Sequence, residues 1–266
     1  MGPSLSVVLL AAGYGTRLYP LTKDRPKALL PLGDDTILDT IMQAVEAVPN
    51  VSRTILVTNH QFAGHFRHWQ ARRSSSVEIL DDGTETPESR LGAIRDLQRA
   101  WERGAAADDV LVLGTDNLLT GSLTEVLRAA RLRRPAATVA VREVATLKEA
   151  RQFGVAETDP DGRIIRWWEK PRRPPCRTIG LCLYYFPNPI RQQIQAYLAQ
   201  GGLGDAPGQF LEWLVARQPV YAVMTQGVWF DIGSQEAYRQ AVRYWKKQDK
   251  KERSRSCARP SSPLNR

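Results

Sequence analysis

The stretch Leu5–Ala11 limits what this chain can fold into more than any other. Its residues, LSVVLLA, are apolar almost without a break. A strand with one wet face alternates polar and apolar residues. A near-continuous apolar strand is covered on both faces, as in a parallel sheet between two layers of helices. After Ala11 the strand gives way to Ala12-Gly13-Tyr14-Gly15-Thr16-Arg17, and Lys27 follows ten positions later. Small residues let the backbone approach a bound group closely. Successive N–H groups in such a loop form an anion-binding concavity, and Arg17 and Lys27 add full positive charges. On the glycines alone, a tight strand-to-helix turn with two surface cations explains the loop equally well.

The pattern downstream supports a sheet of that kind. Helical apolar spacing over Ile37–Val48, with Asp35 or Thr36 as cap, is followed by a strand at Arg53–Thr58 and a helix at Phe62–Ala71. A strand at Val77–Leu80, a polar loop, a helix from Leu91 to Arg103 and a strand at Val110–Gly114 come next. A helix at Ser122–Arg133 and a strand at Ala137–Val141 complete this half. Strand–helix alternation predicts an α/β domain with a mostly parallel sheet. Ligands of such sheets sit beyond the carboxyl ends of the strands, where the loop after Ala11 and the turn at Asp116 both fall.

The rhythm then changes. Gly154–Thr158 and Arg163–Glu169 flank Asp159-Pro160-Asp161-Gly162, a strong hairpin turn. A strand at Thr178–Phe186 carries Gly180, and a strand glycine often marks close backbone approach. Helices at Pro189–Leu198 and Pro207–Ala216, a strand at Val220–Thr225, a turn at Trp229–Gly233 and a helix at Ser234–Trp245 follow. The net charge of +9 suggests a polyanion partner until it is located: eight basic and two acidic residues lie between Lys246 and Arg266. The body, 1–245, is therefore close to neutral, and 246–266 reads as a frayed helix end running into a basic, disordered tail. Nucleic acid is not an expected partner. No apolar run approaches the roughly 20 residues of a membrane helix, and no charged segment precedes the first apolar run as in a signal peptide. Cys176, Cys182 and Cys257 lack metal-like spacing and fit a reducing cytoplasm. His60, His65 and His68 have no accompanying ligand set for zinc.

The string LAAGYGTRLYPLT, continued by Pro26-Lys27-Ala28-Leu29-Leu30-Pro31, resembles the signature of the sugar-phosphate nucleotidylyltransferases. The resemblance extends through Leu91-Gly92-Ala93, Gly114-Thr115-Asp116-Asn117, Phe153-Gly154-Val155, Glu169-Lys170-Pro171, Ile179-Gly180-Leu181 and Trp229-Phe230-Asp231-Ile232-Gly233, in the family's order. It covers about residues 5 to 245. It implies a Rossmann-like α/β fold whose mixed, mostly parallel central sheet is flanked by helices. The implied activity joins a nucleoside triphosphate to a sugar 1-phosphate, giving an NDP-sugar and pyrophosphate.

By that resemblance, the backbone of Ala11, Ala12, Gly13, Gly15 and Thr16 holds the triphosphate, and Gly92 lies against the base. Arg17 steadies the β and γ phosphates, and Lys27 neutralises the reacting phosphates. Gly154, Glu169, Lys170 and Gly180 form the sugar side. Asp116 and Asp231 hold a hard divalent cation, Mg2+, together with phosphate oxygens. A homo-oligomer is compatible with the family.

The chain also departs from the pattern. Ala28 follows the lysine where thymidylyl- and uridylyltransferases often have glutamine. Asp81–Arg90 replaces a glutamine-containing segment that reads a pyrimidine. The base is therefore open, with the short loop leaning toward a pyrimidine. The sugar is open too, and a cytidylyltransferase acting on a non-sugar phosphate such as phosphocholine is the alternative reading. No hexapeptide repeat follows, so the β-helical acetyltransferase module of some relatives is not expected. A catalytically silent, regulatory nucleotide-sugar-binding relative is disfavoured by the presence of Arg17, Lys27, Asp116 and Asp231. A nicotinamide-dependent dehydrogenase is disfavoured because Leu18 stands where the third glycine of G-x-G-x-x-G belongs.

Overall fold

The computed structural model describes residues 3–73, 76–104 and 108–257, with side chains as far as 248. The first half contains β1 (Leu5–Leu10), β2 (Pro31–Leu32), β3 (Asp35–Thr36), α1 (Ile37–Glu46), β4 (Val51–Thr58), α2 (His60–Ala71), β5 (Val77–Asp81), α3 (Ala93–Arg103), β6 (Asp109–Gly114), β7 (Asn117–Leu119), α4 (Leu123–Arg131) and β8 (Ala137–Glu143). The second contains α5 (Leu147–Ala150), β9 (Gly154–Thr158), β10 (Ile164–Glu169), β11 (Thr178–Phe186), α6 (Ile190–Ala199), α7 (Pro207–Val215), β12 (Val220–Met224), β13 (Trp229–Asp231) and α8 (Gln235–Cys257).

Nine strands form one sheet. Its main path runs β10-β9-β11-β6-β1-β4-β5, and β8 and β12 branch from β11. β1 is central and lies parallel to both β4 and β6. β11 is antiparallel to β6, β8 and β9, so the sheet is mixed. The alternation of Cβ directions along β1 divides the interior. Val7 and Leu9 enter a core built with α1, α2, α4 and α8. Val8 enters a second core with Ile94 and Leu97 of α3, Ile194 of α6 and Phe210 of α7. Both faces are thus covered, which is why the strand carries no alternation. Each fully buried aliphatic side chain of this kind contributes roughly 1.5–3 kcal/mol.

Local chemistry sets the element ends. Thr36 accepts from Asp39 N–H while the Asp39 carboxylate accepts from Thr36 N–H, a reciprocal cap on α1. In the β9–β10 turn, Asp159 accepts from the backbone of Asp161 and Arg163. Two expectations change. Trp229–Asp231 is a strand, not a turn: it pairs antiparallel with β7, with Asp231 opposite Asn117. Neither strand exceeds three residues, so their form is set by pairing with each other. The last helix continues past Trp245 to Cys257, into the stretch 246–266 read as a frayed helix end and disordered tail; residues 258–266 lie outside the described residues. No described helix is long and apolar enough to cross a membrane.

Candidate active site

The loop after β1 reaches the carboxyl ends of β1, β4 and β6. Ala11 N–H still donates to Val57, but the N–H groups of Ala12, Gly13, Tyr14 and Gly15 have no protein acceptor among the described hydrogen bonds. Gly15 sits at φ 65° and turns the chain into a short helical turn, Thr16–Leu18. Thr22 donates to Gly15 carbonyl at 2.8 Å, and Asn59 donates to Ala12 carbonyl at 2.9 Å. Tyr14, itself buried, donates to Thr84. Two of the loop's carbonyls are thus held, while its N–H groups are without a protein acceptor among the described hydrogen bonds. A side chain at Gly13 would meet only open space.

Lys27 joins this loop to the far end of the chain. Its Nζ donates to Asp116 Oδ2 at 2.8 Å and to the Ile232 carbonyl at 3.3 Å. Asn117 Nδ2 donates to the other Asp116 oxygen, and Trp229 Nε1 fixes Asn117 in turn, each at 2.9 Å. Ile232 N–H donates to the Asp116 carbonyl at 2.8 Å. The β7–β13 ribbon therefore brings Asp116 and Asp231 side by side, and Asn117 orients the first of them.

Charge follows from this packing. Burial pushes the Asp116 carboxyl up, but Lys27 and the hydrogen bonds from Lys27 and Asn117 outweigh it and hold it below its ordinary range. Asp231 is pushed up to about 6, by burial first and then by the charge of Asp116, against the pull of Lys27, Arg17 and Lys170. Arg17 is exposed and lies beside Asp231, both near Gly233. Burial, opposed by Lys170, also raises Glu169. Glu169 packs against Gly208, leaving no room there for a side chain. Lys170 holds φ 47°, and its Nζ is 3.8 Å from Glu169.

Two cavities meet this constellation. One, of about 220 Å³, is lined by the Ala11–Gly13 backbone, Lys27, Gly92, Asp116 and Cys182. Its mouth carries Arg90 and Asp205, joined by two hydrogen bonds of 2.8 and 2.7 Å. Cys182 is pushed up to about 12 by burial and by Asp116, so it stays a thiol. The other cavity, about 720 Å³, takes in Arg17, Asp231 and Gly233 with Arg142, Glu149 and Trp229.

Packing within the protein accounts for three of the glycines expected at the ligands. Gly154 and Gly180 flank Trp167: a Cβ on either would come within 2.1 Å of the indole. Gly92, at φ 90°, opens α3 and lies against Gly204 and Asp205, and the Gly204 carbonyl accepts from Ile94 N–H at 2.9 Å. The protein itself occupies the side-chain space at all three positions. Gly154→Ala is expected to destabilise the fold by about 1–3 kcal/mol through overpacking. Denaturant unfolding checks this; unchanged stability would mean that Trp167 moves aside freely.

Two residues escaped the sequence reading. Asp82 and Asp96 line the first cavity and are 3% and 4% exposed. Asp82 Oδ1 accepts from Thr84 N–H and Oγ1, whereas Asp82 Oδ2 and Asp96 Oδ1 are buried without a partner. Burial and the neighbouring Asp82 push Asp96 up to about 7. A carboxyl raised in the folded state keeps its proton after the unfolded chain has lost it. Stability should therefore fall as pH rises from about 4 to about 7, by up to about 4 kcal/mol from this group. Asp96→Asn should flatten that slope in unfolding measured at about pH 5 and about pH 8.

The chain matches the family model for nucleotidyl transferases over residues 6–248. It is 27% identical over 236 residues to the bifunctional protein GlmU of Methanocaldococcus jannaschii, covering 86% of this chain and 51% of that one. It is 26% identical over 243 residues to a glucose-1-phosphate thymidylyltransferase of Streptomyces griseus, covering 86% and 63%. The chain thus spans about half to two-thirds of the length of these relatives. A solved structure of a UDP-glucose pyrophosphorylase bound to UDP-glucose superposes with a TM-score of 0.77 at 19% identity, covering 92% of this chain and 99% of that one. That likeness establishes the shared fold.

Proposed function

The chain belongs to the nucleotidyl transferase family, and on that premise we propose that it joins a nucleoside triphosphate to a sugar 1-phosphate, forming an NDP-sugar and releasing pyrophosphate. The observation that carries this reading is Lys27. It is hydrogen-bonded to Asp116 in the wall of a cavity that also holds a run of unused backbone N–H groups.

Two anions must be brought together for this reaction, so positioning and charge stabilisation dominate. The Ala12–Gly15 N–H groups donate to triphosphate oxygens. Lys27 lies over the α-phosphate and the attacking phosphate. A phosphate oxygen of the sugar 1-phosphate attacks the α-phosphorus, and the bond to the bridging oxygen of the β-phosphate breaks. The electron pair leaves with pyrophosphate, which Arg17 steadies. No proton need move and no covalent enzyme intermediate is required. Glu169 and Lys170 serve the sugar side, Glu169 as a buried acceptor for hydroxyls and Lys170 as a cation for the sugar phosphate.

Asp116 and Asp231 are the residues we assign to Mg2+. The charge of Asp116 adds to burial in raising the cost of ionising Asp231, and a hard cation relieves this. No set of three metal-ligating side chains occurs among the described residues, so phosphate oxygens complete the set. When bound, the cation supplies charge neutralisation at the reacting phosphates. Chelation should stop turnover reversibly; full activity in excess chelator would remove the metal assignment.

A pyrophosphate-release screen of nucleoside triphosphates against sugar 1-phosphates and phosphocholine tests the reaction. Release with a sugar 1-phosphate supports it. Release with phosphocholine alone favours the cytidylyltransferase alternative, and release with no pair favours a silent binding protein.

A further inference from the structure

Resting on the nucleotidyl-transfer reading, we propose that Arg142 is a further binding residue of the reaction, holding the far phosphate of the departing pyrophosphate. Arg142 is half-buried near the end of β8, in register with Ile179 of β11. It lines the cavity of about 720 Å³ that also takes in Arg17 and Asp231. Its guanidinium lies over the Trp229 ring, 5.4 Å from the centroid. It makes no hydrogen bond and no ion pair among the described residues. Contact with an aromatic face leaves the donors around the edge of a guanidinium unused. The indole beneath is itself fixed. Trp229 Nε1 donates to Asn117 at 2.9 Å, and Phe153 packs edge-on against the ring with centroids 5.3 Å apart.

Placement points to the ligand. Trp229 and Asp231 are two residues apart on β13, so their side chains share one face, about 7 Å apart. Arg142 stands over the first and Arg17 beside the second. A ligand along that face meets two guanidiniums in succession, and their planar N–H forks match phosphate oxygens. A diphosphate brings one charged group for each; a monophosphate brings only one. Gly233 and Ser234, at the N-terminal end of α8, line the same cavity, and that end of a helix favours negative charge. Glu169 and Lys170, assigned to the sugar side, do not line it. Three carboxylates do, and each has another task. Asp231 is assigned to Mg2+, Glu143 lies 3.6 Å from Arg177, and Glu149 accepts from Ala145 N–H at 3.2 Å.

The test uses the full chain with Mg2+. It measures pyrophosphate binding by calorimetry and the KM for pyrophosphate in the reverse cleavage of an NDP-sugar. Arg142→Met keeps an apolar stem over Trp229 and removes the charge. It should weaken pyrophosphate binding, and raise its KM, by about 10- to 100-fold, the scale of a charged hydrogen bond. KM for the NDP-sugar should stay within about threefold. Arg142→Lys should recover part of the loss, since it restores the charge without the fork. Arg142→Gln provides a second variant should the methionine form fail to fold. A fall in kcat with pyrophosphate binding unchanged overturns the proposal and makes Arg142 a support of Trp229 and Asn117. A rise confined to KM for the sugar 1-phosphate places Arg142 on the sugar side and also overturns it. Unchanged constants overturn it outright. In each of these cases the transfer reading stands. If no substrate pair reacts while pyrophosphate still binds through Arg142, the transfer reading falls and the pyrophosphate site stands.

Discussion

Replacing Lys27 with methionine is expected to lower nucleotidyl transfer by about 10³-fold while the protein still folds. Methionine retains most of the apolar stem of lysine and removes the charge. Lys27 is only 14% exposed, and its Nζ is held between Asp116 and the Ile232 carbonyl. The charge is therefore fixed in place before substrate arrives, the condition under which electrostatic stabilisation is strongest. The loss should appear in kcat, because the charge that Lys27 meets grows as the two phosphates approach. A rise in KM alone would show that Lys27 only binds substrate. One accompanying sign separates catalysis from support of the fold: without nucleotide, the variant should bind Mg2+ more tightly than the parent, since a cation that competes for Asp116 is gone. Steady-state kinetics with a substrate pair found by the screen, thermal melting and metal titration check these points.

Asp116→Asn is expected to lose activity on the same scale and to change metal binding in the opposite direction. The amide preserves shape and backbone, so the Ile232 N–H bond to the Asp116 carbonyl remains. The variant loses the carboxylate that Lys27 and Asn117 address. With one of two acidic ligands gone, Mn2+ binding followed by electron paramagnetic resonance should weaken by at least about tenfold, the scale of one charged ligand contact. Asp231, relieved of a like charge, should return toward its ordinary range. Unchanged Mn2+ binding would dissociate Asp116 from the metal and leave it a partner of Lys27 alone.

Much of the fold was legible because β1 is apolar throughout and helices follow strands at regular intervals. The pairing of Asp116 with Asp231 was legible only through motif order. The three-residue strands that bring them together have no periodicity to read, and their partner lies more than a hundred residues away. Gly180 signalled a close approach, but sequence cannot say what approaches; the indole of Trp167 packs against both Gly180 and Gly154. Asp96 had a signal that went unread. It stands four residues before Ala100, on the same helical stripe as buried Ile94, Leu97 and Ala100. A carboxyl on a buried stripe needs a partner, a ligand or a retained proton. Asp82 had none: its burial follows from the turn at the end of β5 and from α3 packing over it.

The central claim is that this site passes a nucleotidyl group directly between two phosphates, with Lys27 acting as a fixed charge and not as a nucleophile. Exchange of labelled pyrophosphate into the nucleoside triphosphate tests it most directly. The account predicts exchange only when the sugar 1-phosphate or its NDP-sugar is also present, and its loss in Lys27→Met. Exchange with triphosphate and pyrophosphate alone would require a covalent nucleotidyl-enzyme and would contradict the account.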